Sequence, residues 1–159
     1  MTRAPRAIGV ISDTHGLLRP EAVAALRGVE AILHAGDVGA PEVLERLAEV
    51  APVTAVRGNN DGAPWAETLP ATDVLEIDGA RLYVLHDVKE LALDPGAAGF
   101  AAVIAGHSHQ PRVEERAGVL YFNPGSAGPR RFRLPVTVGR LTVERGRVRG
   151  RIIDLGIAP

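Results

Sequence analysis

Three short apolar runs, Ala7–Ile11, Ala31–His34 and Val53–Val56, alternate with two amphipathic stretches, and each run stops at a polar, glycine-containing turn. No other feature of the chain restricts its fold as much. The amphipathic stretches open on Pro20 and Pro41, a residue suited to the first turn of a helix. Gly28 is placed to end the first, and Val43, Leu44, Leu47 and Ala48 recur at helical spacing in the second. Strand, helix, strand, helix, strand is the order that builds parallel strands through right-handed crossovers. The unbroken apolarity of Ala7–Ile11 suits a strand covered on both faces. Open sheets of this kind bind ligands at the carboxyl ends of their strands. A site is therefore expected at Ser12-Asp13-Thr14-His15-Gly16, at Ala35-Gly36-Asp37-Val38 and at Arg57-Gly58-Asn59-Asn60-Asp61-Gly62.

The pattern changes after Pro70. Val74–Ile77 and Arg81–Leu85 flank Asp78-Gly79, a strong hairpin signal, and the second of these strands runs into His86-Asp87. A short helix or loop around Asp94–Gly99 leads to a buried strand, Ala101–Ala105, that ends in Gly106-His107-Ser108-His109. Pro111–Glu115 and Val119–Phe122 form a second hairpin around Ala117-Gly118, ending in Asn123-Pro124-Gly125-Ser126. Pro135–Glu144 and Arg147–Asp154 bracket Arg145-Gly146 as a third. The chain thus reads as a parallel α/β half followed by an antiparallel, hairpin-rich half. With no linker, repeat or low-complexity tract, residues 1–159 are expected to form one domain.

Composition narrows the function by exclusion. A formal net charge of −1 gives no general electrostatic case for nucleic acid or a membrane surface. The absence of cysteine removes disulfides, thiolate metal sites and a cysteine nucleophile. Neither a signal peptide nor an apolar run of membrane-spanning length is evident, so a cytoplasmic location is expected.

Seven oxygen or imidazole donors sit where strands end: Asp13, His15, Asp37, Asn59, His86, His107 and His109. Asp13 and His15 are two apart, a spacing that shares one face of a strand and that a turn can also bring together. By itself the pair is a weak signal. The full set, mixing carboxylate, amide and imidazole without thiolate, suits divalent manganese, iron, zinc, cobalt or nickel. Seven donors exceed what one ion takes while keeping open positions. They suit two ions sharing a carboxylate, about 3.5–4 Å apart, the arrangement that clamps an in-line phosphoryl displacement.

Ser12-Asp13-Thr14-His15, Gly36-Asp37, Gly58-Asn59-Asn60-Asp61, Leu85-His86 and Gly106-His107-Ser108-His109 occur in the order of the calcineurin-like metallophosphoesterases. The chain most resembles their small bacterial and archaeal phosphodiesterase branch, from about Ile8 to Ser126. The resemblance implies an α/β fold, a four-layer αββα sandwich with two central mixed sheets and a binuclear centre at their loop ends. Carried over by position, Asp13, His15, Asp37 and His109 would hold a first metal. Asp37 would bridge to a second, held also by Asn59, His86 and His107. A hydroxide bridging the two divalent ions, manganese foremost, would attack a phosphorylated small molecule or nucleotide, with Asp37, Asn59 and Asn60 as catalytic residues. The alternative is a non-catalytic protein-binding scaffold on the same fold, as in the retromer subunit that shares it. Lost ligand residues would mark that alternative, and none of the seven is missing.

Two positions depart from the family pattern. Asn60 stands where many members carry a histidine that protonates or steadies the leaving group, and an amide is no general acid near neutral pH. The small phosphodiesterase branch also lacks that histidine. Asp87 follows His86 where glycine is usual, and it could add a ligand, repel an anionic substrate or face solvent. Asn60, Asn123 and Ser126 are expected to bind substrate. His34 is expected to be packed, Asp61 to form a turn or support the site, and Trp65 to pack or rim a pocket. Arg130, Arg131 and Arg133 read foremost as a solvated edge, with phosphate orientation as the other reading.

Overall fold

The computed structural model describes residues 4–131 and 133–158; the two ends of the expected domain, residues 1–3 and Pro159, lie outside that range with Phe132. The described elements are β1 (Arg6–Ile11), α1 (Pro20–Ala25), β2 (Ala31–His34), α2 (Pro41–Ala48), β3 (Val53–Ala55), β4 (Thr72–Ile77), β5 (Ala80–Leu85), β6 (Ala102–Ile104), β7 (Arg112–Arg116), β8 (Val119–Asn123), β9 (Thr137–Glu144) and β10 (Arg147–Asp154), with 3-10 turns at Pro64–Thr68 and Val88–Glu90.

Two five-stranded mixed sheets face each other, one in the order β10-β9-β1-β2-β3 and the other β4-β5-β6-β8-β7. In the first, β1, β2 and β3 are parallel, with Ile11 opposite His34 and His34 opposite Ala55. That register brings the ends of all three strands level. The C-terminal hairpin does not stay with the second half of the chain, because β9 returns to pair antiparallel with β1. The second half is also not purely antiparallel, since β5, β6 and β8 run parallel and only the edge strands β4 and β7 are reversed. Hairpin signals reveal which neighbours in sequence pair, but leave the long-range pairings unmarked.

Alternation along β1 explains the layers. Ile8 and Val10 point between the sheets, where they meet Leu33, Leu82, Val84, Ile104, Phe122 and Leu141. Ile11 points to the outer face and joins Ile32, Val138 and the buried helix residues Ala22, Leu26, Val43 and Leu47. Gly9 shares that outer face because a Cβ there would lie 2.7 Å from Leu26 Cδ2, so its bare backbone lets α1 pack close. Full burial of a side chain such as Leu26 contributes about 1.5–3 kcal/mol. Trp65 packs at the margin of this cluster. The outer face of the second sheet, around Leu85, Val103, Ala105 and Val119, is covered by Val88 and Leu91 of the 3-10 turn and its exit. The αββα order is therefore kept, with its last layer reduced to that turn and a loop. No helix among the described residues is long and apolar enough to cross a membrane.

Candidate metal centre

The parallel strands end side by side, and the residues that follow them turn sharply. Asp13, His15, Asp37, His107 and His109 have φ of 56°, 48°, 54°, 69° and 62°, the left-handed region that costs non-glycine residues roughly 1–3 kcal/mol each. Asp13 and His15 are thus brought together by a turn beyond β1, not by alternation along a strand. Long-range hydrogen bonds hold these conformations. Asp13 N–H donates to Gly36 O (3.0 Å), His15 N–H to Asp37 O (2.9 Å), and His107 N–H to Asp13 Oδ2 (3.1 Å). Gly106 makes the last approach feasible, since a Cβ there would sit 2.0 Å from Ser12 Oγ.

Two residues behind the site lock the loops to one another. The buried Asp61 carboxylate accepts from the backbone N–H groups of Val38 (3.1 Å), Gly39 (3.0 Å) and Gly58 (2.9 Å), tying the turn after β2 to the turn after β3. His34, fully buried, has the packed role expected of it. Its Nδ1 accepts from Gly36 N–H (3.1 Å), which leaves the ring proton on Nε2. Nε2–H therefore donates to Thr14 Oγ1 (3.0 Å), whose own hydroxyl donates to Val38 O (2.8 Å).

All seven expected donors converge at this end of the sandwich. Asp13 Oδ1 lies 3.4 Å from His109 Nε2, 3.9 Å from His86 Nε2 and 4.0 Å from His15 Nε2. Asp37 Oδ2 lies 3.3 Å from His86 Nε2 and 3.8 Å from His15 Nε2. His107 Nδ1 stands 3.1 Å from Asn59 Oδ1 and 3.3 Å from His86 Nε2. The imidazoles fall into two pairs, His15 with His109 and His86 with His107, with ring centroids 5.5 and 5.1 Å apart. Asp13, His15 and His109 each place one ligand atom within 4.8 Å of the others, as do Asp13, Asp37 and His86. Asp13 is common to both triads, and Asp37 Oδ2 also faces a histidine of each.

Whether a cation fits here is decided by atoms that the protein itself leaves unpaired. Asp13 Oδ1, His15 Nε2 and His109 Nδ1 are buried without a hydrogen-bond partner. A buried carboxylate oxygen without a partner is costly, and this one is ringed by imidazole nitrogens. His86 donates Nδ1–H to Ala35 O (2.7 Å), which turns its Nε2 lone pair toward the two aspartates. These donors fit a divalent cation of the borderline class.

The electrostatics agree. Burial pushes the Asp13 carboxyl up, but the facing His109 imidazole, the Ser12 hydroxyl and the charge of His86 together hold it below its ordinary value. Asp37 is pushed up by burial and then held well below the carboxylate range by His86 and the Asn60 N–H. Burial works against a charged His86, yet Asp37 and the Ala35 carbonyl raise it above the ordinary imidazole value. His15 is lowered, foremost by burial, with Arg131 opposing its charge against the pull of Asp37 and Asp13. Both carboxylates are thus ionised at neutral pH, the state that metal binding requires.

Other expected residues take supporting places. Asn60 donates from N–H (2.8 Å) and Nδ2 (3.1 Å) to the two oxygens of Asp37, so its polar hydrogens hold a candidate ligand. Asn123 and Ser126, expected to bind substrate, are buried with their polar atoms engaged within the protein. Asn123 Nδ2 donates to Gly106 O (3.0 Å) and Ser108 Oγ (3.1 Å), and its oxygen accepts from Gly125 N–H. Ser126 Oγ donates to Asp13 O (3.1 Å). Both therefore support the loops. Asp87 does not point simply to solvent, since Oδ1 accepts from Lys89 N–H (3.0 Å) and Oδ2 lies 3.6 Å from His107 Nε2. Arg130 donates to Ile157 O (3.0 Å). Sequence reasoning missed Ser12, whose hydroxyl donates to Asp13 Oδ2 (2.6 Å), while Asp61 takes the supporting place that was one of its two readings.

Comparison with known proteins agrees with this geometry. A probable metallophosphoesterase of Methanothermobacter thermautotrophicus is 41% identical over 131 residues, covering 75% of this chain and 76% of that protein. Phosphodiesterase YfcE of Escherichia coli is 30% identical over 160 residues, covering 82% and 84%. Among solved structures, one described as a novel archaeal phosphodiesterase superposes with a TM-score of 0.76 at 27% identity, covering 92% of this chain and 99% of its own. Vacuolar protein sorting 29 of Cryptosporidium parvum gives 0.75 at 20% identity, covering 96% and 98%, a likeness of fold alone. The profile of the calcineurin-like phosphoesterase superfamily domain matches residues 7–146, which include every donor of the cluster, and the chain belongs to that superfamily.

Proposed function

We propose that this chain is a metal-dependent phosphodiesterase whose seven converging donors hold two divalent cations, manganese foremost among manganese, nickel, iron, zinc and cobalt. The observation that carries the reading is the buried, unpaired Asp13 Oδ1, set within 4.0 Å of three imidazole nitrogens from three different loops. His15 and His109 serve one ion, and Asn59, His86 and His107 the other, with Asp13 and Asp37 between them. Bound there, the cations would polarise phosphoryl oxygens and make a water nucleophilic near neutral pH.

The protein's own groups set the limits of the reaction. Asn60 holds Asp37 through two hydrogen bonds, which fixes the carboxylate where both histidine pairs meet it. The Asn60 amide has no proton to give near neutral pH, so esters whose alcohols leave readily are favoured. Arg131 is near enough to disfavour charge on His15 and supplies a cation at the site's edge for a phosphate dianion or diester. The likeness to vacuolar protein sorting 29 gives no specific support to a scaffold role, while the unpaired donors favour a working metal centre.

The test is hydrolysis of bis(4-nitrophenyl) phosphate and 4-nitrophenyl phosphate with added Mn²⁺, Ni²⁺, Co²⁺ or Zn²⁺. The diester should be preferred, and Asp37→Ala should lower its rate at least a hundredfold. Asp13→Ala and His15→Ala should also lower bound metal by elemental analysis. Rates indistinguishable from the Asp37→Ala control under every metal would refute the activity, and full metal content in both ligand variants would refute the assignment.

A further inference from the structure

On the outer face of the second sheet, against the candidate metal centre, lies a cavity of about 380 Å³. Val88, Val103, Ala105, Pro111 and Tyr121 give it a mainly apolar wall. A second cavity, of about 280 Å³, opens on Asn59, His86 and His107 with Arg57, Asp87 and Glu90 around it. The two cavities have Asp87 and His107 in common. The His107 ring is therefore the partition. Its Nδ1 faces Asn59 and His86 on the polar side, and its Nε2 faces Asp87 Oδ2 at 3.6 Å.

We infer that the apolar cavity is a subsite for an uncharged aromatic ring carried by one ester alcohol of the phosphodiester. The inference rests on the phosphodiesterase reading, and three observations extend it. First, His107 lines both this cavity and the polar one of Asn59 and His86, so a substituent reaching past His107 from a phosphoryl group held there would enter it. Second, a volume of about 380 Å³ is at the lower end for small-molecule sites, ample for a single ring system. Third, the charged residues of the lining are largely offset. Arg112 already donates to Glu114, and Asp87 and Lys89, two apart in the chain, carry opposite charges. Tyr121 is half-buried and offers a ring to stack on, with the Arg116 guanidinium 5.2 Å from its centroid.

The probes are phenylphosphonate and methylphosphonate, titrated calorimetrically into the metal-loaded protein. Phenylphosphonate should bind at least tenfold tighter, and Tyr121→Ala and Val88→Asp should each reduce that preference to threefold or less. Thermal melting of both variants confirms their folding. In turnover, 4-nitrophenyl diesters of phenol and of thymidine should show lower KM than the methyl diester, and their relative KM values tell a simple aryl group from a nucleobase. Equal affinity for the two phosphonates, or a preference that both folded variants retain, would overturn the subsite. Failure to hydrolyse any ester would count against the phosphodiesterase reading, while the phosphonate ratio would still decide the subsite.

Discussion

The two ends of the sandwich use the same backbone conformation for opposite reasons. Among the described residues, eight other than glycine have positive φ: Asp78, Ala117 and Arg145 at the three hairpin tips, and Asp13, His15, Asp37, His107 and His109 at the strand ends. At the tips each such residue precedes a glycine that is also left-handed, the pairing of a type I′ turn whose twist matches the strands. The conformation there answers a local need. At the other end no strand pairing requires it. The left-handed residues turn carboxylates and imidazoles toward one point, held by hydrogen bonds reaching from loop to loop. Strain set by the local turn is tolerant of its residue, whereas strain set by distant partners depends on each of them.

Removing one partner at each end is the most forceful way to break this contrast. Asp61→Ala takes the acceptor from three backbone N–H groups, those of Val38, Gly39 and Gly58, and leaves them without a replacement. Charge-assisted bonds of this kind imply a loss of about 4 kcal/mol, read as a fall in the denaturant midpoint. Asp78→Ala, at the opposite end, removes the side-chain acceptor for Arg145 N–H (3.0 Å), an exposed bond whose loss implies about 1 kcal/mol. Comparable losses in the two variants would mean that the site end is no more interdependent than a hairpin tip.

His34 gives the next effect, through pH. Burial pushes its imidazole down to about 4 from an ordinary 6.5, with nearby Asp13 and Asp61 only partly opposing. Between those values the unfolded chain binds a proton that the folded chain does not, so stability rises with pH across the window. Acidifying metal-free protein from pH 7 toward 4 should therefore cost about 3 kcal/mol through this one residue. His34→Gln can accept from Gly36 and donate to Thr14 without titrating. The difference between the two proteins in urea unfolding at pH 7 and pH 4.5 isolates the effect. Parallel pH profiles would show that the loop lock does not depend on a neutral ring.

How much of this was legible follows the same division. The hairpin tips could be read from Asp78-Gly79, Ala117-Gly118 and Arg145-Gly146, because the two residues that need positive φ are adjacent in sequence. The parallel β1-β2-β3 order and the seven donors were legible as well, since apolar runs ending in Asp, Asn or His mark strand ends. The pairing of β9 with β1 was not, because nothing local to Thr137–Glu144 records a partner near the N-terminus. Within the site, the meeting of Asp13 with His15 was foreseen, but the turn that achieves it was only one of two readings. Asp61 reads as a turn residue or a support for the site, but the loop it supports was not legible, because Val38 and Gly39 come from a distant stretch of chain. Asn123 and Ser126 bond to the loops of Gly106 and Asp13, and polarity alone cannot tell a group that faces a ligand from one engaged with a neighbouring loop.

The smallest effect sharpens the comparison most directly, because it should have the opposite sign. Ala117 holds φ of 50° at a tip where its side chain has no distant partner to aim at. Alanine in that region is less favourable than asparagine, whose short amide tolerates it. Ala117→Asn should therefore stabilise the protein by about 0.5–1 kcal/mol, read as a small rise in the unfolding midpoint with metal content unchanged. The equivalent relief at the other end, His15→Asn, keeps a residue tolerant of the same φ but withdraws a nitrogen from the triad with Asp13 and His109. It should lower metal content whatever it does to the backbone. If Ala117→Asn destabilises, the tips are not governed by local turn chemistry. If His15→Asn leaves metal content intact, the left-handed conformation at the strand ends does not exist to aim a ligand.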